Sequence, residues 1–130
     1  MKDIKMGKLV TNGVVLEPHE YETVVYFLKL KKNVELVLGS HTPKVPSPDF
    51  YMDKLIWESK SPAINRVKTI ERLFYKAARQ SSNVIFDLRR LNGNDMFVRQ
   101  ALEKCFKTTR RVRNMYVILK NETLQKYIKK

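Results

Sequence analysis

Asp49, Glu58 and Lys60 are the residues of this 130-residue chain whose types and spacing could do chemistry. Glu58 and Lys60 stand two apart in "LIWESK", a half-apolar extended segment. Side chains alternate along a strand, so both should leave it on one face while Trp57 and Ser59 take the other. If the segment around Asp49 pairs antiparallel with this one through a turn at Asp53–Lys54, Asp49 comes opposite Glu58 or nearly so. Two carboxylates that close repel unless a cation lies between them, which is the arrangement a divalent metal takes. A neighbouring ammonium can orient or help deprotonate a metal-bound water and can offset charge that accumulates on a phosphorane-like transition state.

Charge points the same way. The net charge is +13, from 26 Lys/Arg against 13 Asp/Glu, and a surface that basic attracts polyanions. Residues 1–60 hold nine bases against eight acids, and residues 61–130 hold seventeen against five. A protein that merely coats nucleic acid has no evident use for Glu17, Glu20, Glu22, Asp49 and Glu58 beside a basic surface. A nuclease has one, because carboxylates hold metal where the scissile phosphate lies. Phosphate contacts are expected from Arg66, Lys68, Arg72, Lys76, Arg79, Arg89, Arg90, Arg110, Arg111 and Arg113, which come from four separate elements and cannot all form one stripe. Six to eight such contacts would make binding fall steeply with salt, with a logarithmic slope of roughly −0.9 per contact on duplex and about −0.7 on single strands. The aromatics form no stacking motif, so recognition is expected to follow the shape of a folded substrate.

The elements that must position these residues can be read along the chain. "GKLVTNGVVL" predicts a strand or hairpin around Asn12–Gly13. Pro18 opens a helix from about 18 to 31 with apolar and basic faces, and "NVELVLG" alternates as a strand ending at Gly39. "SHTPKVPSP" holds three prolines and reads as an irregular loop. Two extended pieces follow, about 49–52 and 54–60, and Pro62 stops the second. Ile64 to Arg79 is an amphipathic helix with a basic outer face. "NVIFDL" is a buried strand, "GNDMFVRQALEKCFK" a helix that Asn94 or Asp95 can cap, and "NMYVILK" a further buried strand. The order strand, α, β, β, β, α, β, α, β predicts an α/β layered domain with a mixed sheet.

Hydrophobic content of 43% suits one domain over residues 1–130. No apolar run approaches the roughly 18 residues needed to cross a bilayer, and the N-terminus lacks an apolar signal core. A lone cysteine, Cys105, excludes an internal disulfide and any cysteine zinc site. A soluble monomer in a reducing cytoplasm is expected, with no membrane partner.

The pattern of Pro48–Asp49, a variable gap, and Glu58-Ser59-Lys60 on consecutive strands, after a helix carrying a Glu, resembles the PD-(D/E)XK nuclease superfamily, whose core order is αβββαβ. Within it, "HE…T…L…NVELV…SHTP…PDF…IWESKSP…ARQSSNVIFDLRR" resembles the tRNase toxin domains at the C-termini of CdiA-type contact-dependent inhibition proteins. The resemblance spans about residues 17–119. It implies that Asp49 and Glu58 coordinate Mg²⁺ or Mn²⁺, that the Ser59 carbonyl adds a ligand, and that Lys60 assists the attacking water. It implies a helix carboxylate acting through water, with Glu20 chosen and Glu17 and Glu22 as competitors, and hints at a substrate or catalytic contact from Gln80. RNA, particularly tRNA, becomes the favoured nucleic acid, an acidic immunity protein an expected partner, and delivery into a target-cell cytoplasm within a larger protein an alternative to a stand-alone life. In place of the Gly by which many relatives leave the first helix, this chain has "LKKN", where Asn33 can take the left-handed conformation.

Plainer readings stand beside these. Glu20 can simply sit at the positive end of a helix, Glu58 and Lys60 can form an exposed ion pair, and Gln80 can merely end a helix. Asp87 and Arg89 follow a buried strand, where α/β sites tend to lie, and can equally be an ion pair holding that strand end. Cys105 reads as core. Two rival functions remain. A metal-independent ribonuclease of the barnase, EndoU, colicin or RelE kind would use His19 or His41 with Arg89 or Lys60. A basic nucleic-acid-binding module would have no catalysis at all.

Overall fold

The computed structural model describes residues 5–37 and 49–130, Asp49 through its backbone only. The expected proline-rich loop, Gly39, His41 and Pro48 lie outside the described residues. The elements are β1 (Leu9–Val10), α1 (Pro18–Lys29), β2 (Val34–Val37), β3 (Asp49–Met52), β4 (Leu55–Lys60), α2 (Val67–Ala78), β5 (Asn83–Asp87), α3 (Met96–Thr108), β6 (Asn114–Ile118) and β7 (Leu124–Ile128). From α1 onward the order is αβββαβ and then αββ, so the expected mixed α/β class is present. The strands hydrogen-bond in the order β1 to β7 as a seven-stranded mixed sheet. Pairs β1–β2, β4–β5 and β5–β6 are parallel and the other three antiparallel. The chain divides into two compact units, Met1–Trp57 and Glu58–Lys130.

In the first unit, α1 starts where Pro18 supplies a helical φ without needing an N–H partner. It ends in a Schellman closure, in which the Lys32 N–H donates to the Phe27 carbonyl at 3.0 Å and the Lys31 N–H to Leu28 at 2.9 Å. Lys31 takes the left-handed conformation, with φ of 67°, which corrects the assignment to Asn33. Leu28 is the last buried residue of the helix and Val34 the first of β2, so the chain must reverse by residue 31. Asn33 instead accepts the Lys8 N–H through Oδ1 at 2.9 Å.

Gly7 runs hard against this closure. Its N–H donates to the Leu28 carbonyl, and a Cβ on it would lie 1.6 Å from the Lys32 carbonyl oxygen. Gly7→Ala should therefore lower the unfolding free energy by about 1–3 kcal/mol, as overpacking does, measured by urea denaturation.

The Asn12–Gly13 turn forms, with φ of 51° and 76°, but no hairpin follows it. The Asn12 amide donates to the Leu36 carbonyl at 2.9 Å and Glu35 Oε2 at 3.1 Å, and β1 pairs parallel with β2 instead. The β3–β4 hairpin is as expected. Phe50 pairs Trp57, Tyr51 pairs Ile56 and Met52 pairs Leu55, across Asp53 and Lys54 with φ of 52° and 65°, the positive pair a two-residue hairpin turn requires. The Trp57 indole N–H donates to the Met52 carbonyl at 2.8 Å. Val24, Phe27, Leu36, Phe50, Met52 and Trp57 are buried in this unit.

In the second unit, the end of β4 lies in parallel register with β5, and β5 with β6. Ile70, Phe74 and Ala77 of α2 and Val98, Leu102 and Cys105 of α3 pack with Val84, Phe86, Met115 and Val117 in one core. Helix α2 begins at Val67 rather than Ile64, which is 56% exposed. Asp95 stands at the N-cap position of α3 without a side-chain hydrogen bond to the helix start, its Oδ2 accepting the Lys120 N–H at 3.1 Å instead, while Asn94 Oδ1 accepts the Met96 N–H at 2.7 Å. Strand β7, absent from the sequence reading, pairs antiparallel with β6. Among the described residues no helix is long and apolar enough to cross a membrane.

Cys105 lies in the core as expected, and burial pushes its thiol up from the ordinary value, against a lowering hydrogen bond with Tyr75. A raised thiol pKa means less thiolate at neutral pH, and thiolate is the reactive form. Native protein should therefore react with iodoacetamide far more slowly than urea-unfolded protein does at the same pH.

Candidate active site

Strand β4 brings Glu58 and Lys60 to one face, as alternation requires. Lys60 Nζ lies 3.1 Å from Glu58 Oε2, with the two side chains 14% and 1% exposed. Neighbouring parallel strands pleat in phase, so the register Glu58 with Val84 and Lys60 with Phe86 puts this pair on the side where α2 and α3 pack. The exposed surface ion pair is thereby excluded: Glu58 is buried and Lys60 partly buried. Replacing such an ion pair by apolar residues of similar volume is often neutral or stabilising.

The other candidates are placed as follows. Asp49 opens β3, its backbone in register with Val37, and its side chain lies outside the described residues. Ser59 follows Glu58 in register with Ile85. Glu20 Oε1 accepts the Glu17 N–H at 2.8 Å, half of a reciprocal capping box with Glu17, which gives Glu20 the work of closing a helix start. Glu22 is exposed, and His19 sits half-buried in the same first turn. Gln80 follows the end of α2, and its buried Oε1 has no hydrogen-bond donor among the described residues. Among the described residues, no three His, Cys, Asp or Glu side chains gather where they could hold a metal.

Asp87 and Arg89 form the ion pair that was one of their two readings. The guanidinium donates from Nε to Oδ1 at 2.9 Å and from Nη2 to Oδ2 at 2.7 Å, and the Arg89 backbone N–H adds a bond to Oδ1 at 3.1 Å. The carboxylate is 4% exposed. This fork fixes the end of β5 and commits Arg89 to Asp87 rather than to solvent.

The remaining bases are exposed. Lys68, Arg72, Lys76 and Arg79 fall three and four residues apart along α2 and its cap, so these four do make one stripe. Arg90 extends from the turn after β5, its Nη1 donating to the Ser61 carbonyl at 2.7 Å. Arg110, Arg111 and Arg113 cluster in the connection from α3 to β6.

Sequence reasoning missed a cleft of about 610 Å³ lined by Ala63, Ile64, Asn65, Asn92, Asn94 and Phe97. One signal was available. Phe97 falls outside the apolar stripe of α3 formed by Val98, Ala101, Leu102 and Cys105, and is 65% exposed.

Comparison with known proteins fits this architecture. The "CdiA-CT/CdiI toxin and immunity complex from Burkholderia pseudomallei" contains a chain similar to this one with a TM-score of 0.68 at 13% identity, covering 95% of this chain and 100% of that one. At that identity the likeness establishes a shared fold. No curated protein matches. The family described as the contact-dependent growth inhibition CdiA C-terminal domain matches residues 46–124, well over half of the chain. The protein therefore belongs to the CdiA C-terminal domain family of contact-dependent growth inhibition.

Proposed function

We propose that this domain is a toxin that hydrolyses nucleic-acid phosphodiester bonds with a divalent ion, acting on RNA and within RNA on tRNA. The observation that carries the reading is the Glu58–Lys60 pair at the end of β4. It sits in a unit that holds eighteen Lys/Arg against six Asp/Glu over residues 58–130. A phosphate arriving there meets a cationic surface and a cation–carboxylate pair already withdrawn from water, where electrostatic interactions are strong.

The donors fit a hard cation. The Glu58 carboxylate and the Ser59 carbonyl are oxygen ligands, as the Asp49 carboxylate would be, and oxygen is what Mg²⁺ and Mn²⁺ take. Asp49 completes the set by the Asp and Glu-x-Lys pattern of the sequence. A bound ion supplies a water activated for attack and a counter-charge for the phosphoryl oxygens. Lys60, held as an ammonium by Glu58, would donate to the attacking water to orient it and would offset charge gathering on the phosphoryl oxygens, while the water's proton would leave to solvent. In-line hydrolysis would leave a 5′-phosphate and a 3′-hydroxyl. Glu20 would act only through water and only by leaving its capping bond, and Gln80 offers an unused buried acceptor as a positioning group.

An acidic immunity protein would match the basic surface and be captured quickly, in keeping with the toxin and immunity complex formed by the Burkholderia pseudomallei protein. The family's part in contact-dependent growth inhibition supports delivery into a target cell, and a nuclease acting on tRNA would work in that cell's cytoplasm.

Incubating purified protein with total RNA, plasmid and single-stranded DNA in Mg²⁺ tests the reading. Discrete tRNA fragments with 5′-phosphate ends are expected. Nicked plasmid with intact RNA would overturn the RNA assignment, and no cleavage of any substrate would overturn the enzyme.

A further inference from the structure

We propose that the cleft between the loop after β4 and the loop after β5 binds a single unstacked nucleobase. This deepens the nucleic-acid reading by making a single-stranded segment part of the substrate. Its volume, about 610 Å³, falls within the roughly 300–1,000 Å³ of small-molecule sites. Its apolar surfaces are Phe97 and Ile64, 65% and 56% exposed, and the buried side of α3 has no need of either. An exposed aromatic ring beside a cationic surface is how single-stranded nucleic acid is gripped, because every base has a face that stacks.

Three of the remaining wall residues are Asn; Asn65 has its amide hydrogens on backbone carbonyls and would offer a base edge its Oδ1, and Asn92 and Asn94 add further amide groups. They sit on a fixed frame. Asn65 Nδ2 donates across the cleft to the carbonyls of Asn92 at 2.8 Å and Asn94 at 2.6 Å. The Asn92 N–H donates back to the Ala63 carbonyl at 3.3 Å, and Arg90 ties the second loop to Ser61. Both loops leave the ends of parallel strands, and Lys60 is the last residue of the first of those strands. The base would therefore be held a few residues along the chain from the proposed cleavage chemistry. Arg66, Lys68 and Arg90 are exposed on the same loops and the helix start that follows, and can take the flanking phosphates. That rim selects a polyanion over an apolar protein segment. The site would add one ring for one base to a set of aromatics that forms no stacking motif along the sequence.

Binding without turnover tests this. A fluorescein-labelled hexanucleotide of 2′-O-methyl RNA is titrated in EDTA against wild type, Phe97→Ala and Phe97→Trp, with a blunt RNA duplex in parallel. Phe97 lies outside the core, so its truncation leaves the fold intact. Phe97→Ala should weaken hexanucleotide binding by roughly 5- to 150-fold and leave duplex binding unchanged. Phe97→Trp should keep the affinity, with the new indole quenched on binding. Equal hexanucleotide affinity for wild type and Phe97→Ala, equal losses on both ligands, or an unquenched indole would overturn the base site. Since no bond is cut in the assay, failure of the hydrolytic reading would show separately, as base binding by a protein that leaves RNA whole in Mg²⁺.

Discussion

Lys60→Met should both destabilise the domain and silence it, and adding Glu58→Gln should return the stability while leaving the protein silent. The Glu58 side chain is 1% exposed and its neutralising ammonium stands 3.1 Å away. Removing one partner of a buried pair strands the other charge, at about 3–5 kcal/mol. The double replacement leaves an amide beside an apolar side chain of similar length, with no charge to strand. Urea denaturation should show the deep loss in the single variant and recovery of most of it in the double. Cleavage of RNA should fall by about 10²-fold or more in both, the scale of losing one preorganised electrostatic contact to a transition state. Wild-type cleavage by the double variant would show that the pair serves the fold alone.

Chelation should have an effect at least as large. If hydrolysis depends on a divalent ion whose charge stabilisation is worth several kcal/mol, EDTA should lower the rate by about 10³-fold or more, and Mg²⁺ or Mn²⁺ should restore it. Asp49→Asn should raise the Mg²⁺ concentration for half-maximal rate, and should weaken Mn²⁺ binding followed by water proton relaxation. Cleavage that persists in EDTA and leaves 2′,3′-cyclic phosphate ends would select the metal-independent ribonuclease working through His19 or His41.

Much of the scaffold was legible because its signals are local. Two adjacent residues, Asp53 and Lys54, mark a hairpin turn between alternating segments, and both take positive φ. The parity of Glu58 and Lys60 put them on one face, and they meet as an ion pair. Where local signals compete, the reading failed. Asn12–Gly13 makes its turn, but Asn12 spends its amide on β2 and the hairpin never forms. Lys31, with no intrinsic liking for the left-handed region, occupies it because the helix closure falls there. Strand β7 escaped because it has no buried run: Gln125 and Tyr127 are half-covered while Lys126 and Ile128 face solvent. The cleft around Phe97 showed in the sequence only as one aromatic off the apolar stripe of α3, for another reason. Its walls come from residues about thirty positions apart, joined by hydrogen bonds from a side chain to distant carbonyls, and periodicity carries no record of those.

The strand order carries a kinetic consequence. Each strand hydrogen-bonds to the one preceding it in the chain, from β1 through to β7, and each compact unit is a continuous length of polypeptide. Each strand waits only for the crossover that separates it from its predecessor, 25 residues from Leu9 to Val34, 26 from Glu58 to Val84 and 31 from Asn83 to Asn114 in the parallel pairs, and loop-closure entropy is spent one crossover at a time. A chain emerging from one end, whether from a ribosome or from a narrow passage between compartments, could lay down its sheet strand by strand as it appears.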